Sequence, residues 1–371
     1  MPARIEANGL EDVVAATTRL SDVDGEQGRL VLAGYPVEDL AGRVAFEDVL
    51  FLLFRGALPS RAERAAVQDA LGDAREAAFD RVAELGDALA LPDAMDALRA
   101  AAAHLQARAN EAPLDEAIRI TGALAVFAAA WARPGARLRP DPRLSHAADY
   151  ARLASGAPAS PARVAALDTY LVTVSDHGMN ASTFTARVVA STASDTVSAV
   201  VAALGALKGK LHGGAPGPVL DMLDAVGEPA NARAWLTAAL GRGERVMGMG
   251  HRIYRVRDPR AFVLERAIAA LEATSDAASP VGRRLELARA VEAEAEAQLT
   301  ARHPERPLKA NVEFYTAVLL EAVGLPRTLF TPTFALARAA GWCAHVEEQR
   351  RHGRIIRPQS KYTHALPALP P

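Results

Sequence analysis

The chain has a single cysteine, Cys343, among 371 residues, so no intrachain disulfide can form. It stands in the apolar run GWCAHV without a CxxC partner, which suits a buried structural thiol better than a nucleophile. There is no uninterrupted 18-residue apolar run, and the N-terminal MPARIEANGLEDVV lacks a basic-then-apolar signal pattern. These absences predict a soluble, cytoplasmic protein. There is little net charge either: a formal value of −2 gives no whole-chain field that would favour nucleic acid or an anionic membrane. The basic group Arg350, Arg351, Arg354 and Arg357 is local and reads as a solvated helix end. No HExxH, HxH or Cys/His cluster is present, so the sequence offers no metal-site motif. No repeat period appears, and strand signals are sparse and short.

What remains is an ordinary globular composition, half hydrophobic and 23% charged, on a chain long enough for one large domain or two. The stretch 6–37 has room for a short hairpin. Residues 37–60 read as helix, turn, helix, closed by Gly56 and Pro59. From 61 to 134 the pattern is almost wholly helical, with alanine and leucine on one face and charged residues on the other. Loops are predicted at 134–144, 155–164 and 209–218, with a helix break near Gly178. Ser194 or Asp195 caps a helix that Gly209 ends. Asn311 caps another. For 331–353, Thr331 at the N-cap, Pro332 in the first position and Gly353 beyond the end give a nearly complete set of helix signals. The pattern is mainly α, with many helices, and the tail from 357 is proline-rich.

Against this helical background some residues stand out. Three of the nine histidines lie in glycine-containing breaks: His177 in SDHGMN, His212 in KLHGGA and His251 in GMGHRIY. Glycine allows close approach of backbone to ligand, and a near-neutral imidazole suits proton transfer or hydrogen bonding to an oxyanion. Arg338 shares a helix stripe with Phe334 and Trp342. A guanidinium there needs an anion, either an internal carboxylate or a ligand carboxylate. Arg260 and Arg357 are further candidates. Glu313, in the first turn of ANVEFYTA, is either a helix-end stabiliser or a catalytic base.

In order, SDHGMNASTFTARVVAS, LGALKGKLHGGAP, VMGMGHRIYRVRDPRA, NVEFYTAVLLEAVGLP and FALARAAGWCAHVEEQ resemble the citrate synthase family, and GLEDVVAATTRLSDVDGEQGRLVLAGYPVEDLA resembles its short bacterial form. The resemblance covers nearly the whole chain. It implies an all-α homodimer with a large domain, 1–212 and 319–371, and a small inserted domain, 213–318. It also implies condensation of oxaloacetate with acetyl-CoA, then thioester hydrolysis to citrate and CoA, with no metal cofactor. Under the resemblance His212 holds the thioester oxygen, His251 gives a proton to the oxaloacetate carbonyl, and His177 binds oxaloacetate. Arg260 and Arg338 clamp its carboxylates, and Arg357 reaches the neighbouring active site. Met249, Gly250 and Arg255 are candidates for CoA contacts, with Arg252 beside them.

Two departures matter. The family's PNVDF is ANVEF here, so a glutamate, one methylene longer, stands at the position of the catalytic aspartate. LHGGAP replaces the usual LHGGAN, placing Pro216 after the histidine loop. A 2-methylcitrate synthase, acting on propionyl-CoA, is the nearest rival, since one methylene changes pocket affinity by only about 1–3 kcal/mol. A catalytically weakened paralogue that binds oxaloacetate or CoA is the rival outside enzymology, and Glu313 is the feature that raises it.

Overall fold

A computed structural model describes residues 9–10, 13–213, 216–251, 253–274, 280–305 and 308–364. An antiparallel sheet opens the chain: β1 (Ser21–Asp24), β2 (Arg29–Leu32) and β3 (Tyr35–Pro36), in that spatial order. Every regular element after it among the described residues is a helix. The first group comprises α1 (Val37–Leu40), α2 (Phe46–Arg55), α3 (Arg61–Asp80), α4 (Ala94–Ala102), α5 (Pro113–Ala132), α6 (His146–Ser155), α7 (Pro161–Val174), α8 (Ala181–Ala190) and α9 (Thr196–Leu207). The second comprises α10 (Pro216–Val226), α11 (Ala232–Gly241), α12 (Pro259–Glu272), α13 (Pro280–Arg302), α14 (Val312–Val323) and α15 (Phe330–His352). The all-α class holds, with the expected hairpin extended by a third short strand.

The core is built around α5 and α15. Helix α5 begins with proline in its first turn, where a missing N–H costs nothing, and it is buried almost throughout. Its alanines let neighbours come close: at Gly122 an added Cβ would lie 2.8 Å from the Cβ of Ala74 on α3. Helix α15 is buried from Phe330 to Val346 apart from Thr331, and it packs on α5, α7, α8 and α9. A buried leucine or phenylalanine contributes about 1.5–3 kcal/mol, and this stack holds many, Trp342 at its centre. Cys343 lies within it, 2% exposed, and burial pushes its thiol up, in keeping with a structural role.

The local expectations fare unevenly. Asp195 and Asn311 cap α9 and α14 through their side chains, as their types predict. The 61–134 stretch is less continuous than its composition suggests, with two 3-10 turns at Val82–Leu85 and Ala88–Ala90 and no helix from 103 to 112. Two predicted loops are shorter than expected, because Pro161 and Pro216 each open a helix. Helix α15 starts earlier than Thr331 suggests. A 3-10 turn at Arg327–Leu329 feeds into it, Leu329 is the N-cap, and the Thr331 hydroxyl instead donates to the Gly213 carbonyl at 3.1 Å. Pro332 remains in the first turn, where its lack of an N–H is tolerated. Gly353 ends the helix in an extended conformation (φ −87°), not a left-handed one. No helix among the described residues is long and apolar enough to cross a membrane.

Candidate active site

His177 sits on the turn between α7 and α8. Asn180 caps α8 by accepting the Thr183 amide at 3.1 Å. The turn is pinned from two sides. From β1, the Ser21 hydroxyl donates to the Asp176 carboxylate and accepts the Gly178 N–H at 2.8 Å. From α15, Gly341 N–H donates to the Ser175 carbonyl at 3.2 Å, and Arg338 Nε donates to the Val174 carbonyl at 2.7 Å. A Cβ at Gly341 would stand 2.5 Å from the Ser175 oxygen, so only glycine permits this approach. Behind the turn, Arg187 Nη1 donates to His345 Nδ1 at 2.9 Å, and His345 Nε2 then donates to Asp176 at 3.3 Å. Burial, the largest influence, pushes Asp176 up, but His345, Arg338 and Ser21 together hold it below the usual carboxylate range.

His212 follows α9 in a turn closed by its own N–H donating to the Gly209 carbonyl at 2.8 Å. Its Nε2 accepts the Ser182 amide at 3.2 Å. An acceptor at Nε2 places the proton of the neutral ring on Nδ1. The Ser182 hydroxyl, 2.8 Å from the same nitrogen, donates to Asn180 Oδ1 and accepts from Trp342 Nε1. Burial, then the charge of Arg338, lowers His212 to about 4, so the ring is uncharged at neutral pH.

His251 has the opposite tautomer. Its Nδ1 accepts the amides of Ile253 and Tyr254 at 3.0 and 3.2 Å, leaving Nε2–H as the donor. Burial and Arg260 lower it to about 4 as well. The loop before it is tied to the start of α14. Gly250 N–H donates to the Lys309 carbonyl at 2.7 Å, Asn311 N–H to the Gly248 carbonyl at 2.9 Å, and Asn311 Nδ2 to the Gly250 carbonyl at 2.8 Å. Gly248 has φ +74°, and a Cβ there would meet Phe314 at 2.9 Å. The ring centroids of His177 and His251 are 5.7 Å apart, so the structure brings these two sequence-predicted histidines together.

The charged candidates split into paired and unpaired. Arg260 is 3% exposed and grips Asp258 with Nε at 3.0 Å and Nη2 at 2.7 Å. Asp258 also caps α12 and accepts the Val312 N–H at 3.2 Å, joining the starts of α12 and α14. Arg338, 1% exposed, forms no ion pair with a carboxylate among the described residues. Its guanidinium lies 4.7 Å from the Phe334 ring centroid, its buried Nη2 has no hydrogen-bond partner among the described residues, and burial lowers it to about 10. Glu313 is capped at its amide by Asn311, and its buried Oε2 has no hydrogen-bond partner among the described residues either. Burial raises Glu313 to about 7, with Asp258 adding to the rise and Arg260 and Arg338 opposing it. Half-buried Glu313 and buried Arg338 thus each keep a buried polar atom without a hydrogen-bond partner among the described residues, and such atoms suit a polar ligand.

The remaining candidates stand apart. Met249 makes a backbone bridge to Ala310, and Arg255 is exposed, its amide donating to the Gly25 carbonyl of the β1–β2 turn at 2.8 Å. Arg357 is exposed on the extended segment after α15 and bonds to none of the cluster among the described residues. Arg252 lies outside the described residues. Tyr254, Ser182 and Ser21 were not legible as site residues, because their contacts span 30 to 157 positions. Asp258 carried a signal, an N-cap residue directly before a first-turn proline. No group of three or more histidine, cysteine, aspartate or glutamate residues able to hold a metal occurs among the described residues.

Residues 9–359 match the family model described as citrate synthase, C-terminal domain. The chain is 40% identical to the citrate synthase of Haloferax volcanii over 370 residues, covering 96% of this chain and 95% of that one. It is 38% identical to a 2-methylcitrate synthase of Mycobacterium tuberculosis, covering 95% and 89%. Among solved structures it superposes on citrate synthase from Thermotoga maritima with a TM-score of 0.84 at 32% identity, over 97% of this chain and 96% of that one. The Thermoplasma acidophilum enzyme, solved as a ternary complex with carboxymethyl coenzyme A and oxaloacetate, gives 0.85 at 29% over the same shares. With helices, histidine turns and full-length relatives in agreement, the chain belongs to the citrate synthase family.

Proposed function

We propose that the protein condenses oxaloacetate with acetyl-CoA and hydrolyses the resulting thioester to citrate and CoA. The observation that carries this reading is Glu313 Oε2 and Arg338 Nη2, buried without a hydrogen-bond partner among the described residues, with the Arg338 charge felt by Glu313, His177 and His212 and the Arg260 charge by His251. Glu313 takes a proton from the thioester methyl while the His212 Nδ1–H hydrogen-bonds the thioester oxygen and stabilises the enolate that forms. The enolate carbon attacks the keto carbon of oxaloacetate, His251 Nε2–H gives its proton to the alkoxide so formed, and the proton taken by Glu313 returns to His251 by way of solvent. Water then cleaves the thioester, releasing citrate and the CoA thiol. His177 holds oxaloacetate, and Arg260 and Arg338 bind its carboxylates through the guanidinium N–H groups not used on Asp258 and Val174. Arginines supply the positive charge, so the scheme uses no metal ion. In this reading Met249, Gly250 and Arg255 contact CoA.

This reading divides the chain into a large domain, 1–212 and 319–371, and a small one, 213–318, that closes over the substrates. It makes the protein a cytoplasmic homodimer in which Arg357 completes the neighbouring site. A specific observation favours one second reading: the 38% identity to a 2-methylcitrate synthase puts propionyl-CoA beside acetyl-CoA. Release of free thiol in the presence of oxaloacetate, with each acyl-CoA in turn, decides between them. Faster release with acetyl-CoA is the expected result. Preference for propionyl-CoA would move the assignment to the second reading, and release with neither would overturn both.

A further inference from the structure

Tyr254 is 2% exposed and touches three groups of the oxaloacetate side of the site. Its hydroxyl is 3.1 Å from His177 Nε2. Its ring lies 4.7 Å from the His251 ring, tilted by 41°, and 5.7 Å from that of His177. The Arg260 guanidinium stands 6.0 Å from its centroid. Two of these neighbours are within six positions in sequence, but His177 is 77 away. The backbone amide of Tyr254 also donates to His251 Nδ1 and so helps to set that ring's tautomer. One residue therefore fixes His251 through its amide and His177 through its hydroxyl. The β1–β2 turn braces the same loop from outside: a Cβ at Gly25 would come within 2.3 Å of the Ile253 carbonyl oxygen.

We propose that Tyr254 is a positioning residue for oxaloacetate, aligning His177 with His251 and Arg260 before the substrate arrives. The proposal rests on the oxaloacetate reading of the site. A hydroxyl suits the task. Burial raises the phenol above its ordinary range, so it stays protonated, and burial first, then Arg260 and Arg338, keeps His177 uncharged. A neutral donor–acceptor pair can hold the ring without adding charge where the substrate's carboxylates must bind. Pre-alignment lowers the ordering cost of binding, so its loss falls on oxaloacetate affinity.

The test is Tyr254→Phe, which keeps the ring contacts and the amide and removes only the hydroxyl. Oxaloacetate binding is measured directly by calorimetry on wild type and variant, together with steady-state kinetics and melting temperature. The expected result is a roughly 5- to 10-fold weaker Kd and higher KM for oxaloacetate, the weight of one net hydrogen bond. kcat, the KM for acetyl-CoA and the melting temperature stay close to wild type. Unchanged or tighter oxaloacetate binding by Tyr254→Phe would overturn the proposal while leaving the catalytic reading intact. A fall in melting temperature with both KM values raised alike would show a packing role and also overturn it. Wild-type protein that does not bind oxaloacetate would remove both the site reading and the proposal.

Discussion

Replacing Glu313 by glutamine should make the protein more stable and nearly inactive, and the stability gain should depend on pH. Burial lifts Glu313 from 4.5 to about 7. At about 1.4 kcal/mol for each pH unit, folding with this carboxylate ionised costs about 3 kcal/mol. The sign follows from linkage: below pH 4.5 both folded and unfolded chains are protonated and nothing is lost. Between 4.5 and 7 the unfolded chain releases its proton first, so stability falls, and above 7 the full penalty applies. A neutral amide escapes it. With an unfolding entropy of about 2.1 cal/mol/K per residue over 371 residues, 3 kcal/mol corresponds to a melting temperature higher by about 4 °C at pH 8, and by little at pH 4.5. Loss of a general base should lower turnover by about 10²–10⁴, and in the wild type kcat/KM should fall about tenfold per unit below pH 7. Circular dichroism melts at the two pH values and thiol release check both halves. A Glu313→Gln protein that melts lower than wild type at pH 8, or that keeps its turnover, would refute this account of Glu313.

Other substitutions test the rest of the site. Arg338→Lys loses the planar fork and should raise the KM for oxaloacetate at least about tenfold, measured against an unchanged KM for acetyl-CoA. Gly248→Ala sets a Cβ 2.9 Å from Phe314 at φ +74°, which should shift the start of α14. A displacement of about 1 Å at Glu313 should cost on the order of 100-fold in kcat, and normal kcat in this variant would show the approach to be slack. Cys343→Ala should keep turnover within about twofold while lowering the melting temperature, and folded wild type should resist alkylation, because the thiol is 2% exposed and raised by burial.

Much of the site was readable because its residues sit where a helix must break. Gly178 is left-handed at φ +56° beside His177, and Gly248 and Gly250 flank the loop before His251 with φ of +74° and +87°. These are the conformations that glycine in a sequence announces. Arg338 was readable as buried from its stripe, but its lack of a carboxylate partner among the described residues was not: the unpartnered Nη2 shows only when every nearby carboxylate is placed. The start of α15 was misjudged for a related reason. Thr331 has the right type for a cap, yet its hydroxyl bonds to Gly213, 118 residues away. Arg357 shows the limit of a single chain, since its proposed place lies on a second copy.

The turn that carries His177 is held by partners far along the chain: Ser21 lies 155 positions before Asp176, and His345 169 after it. Helices such as α5 can form from near neighbours, whereas this turn cannot acquire its shape until both ends of the polypeptide have returned to it. Closing such long loops is slow. Catalytic competence should therefore emerge late in refolding, after most helical signal has recovered, and a nascent chain should stay inactive until residues near 345 have been made.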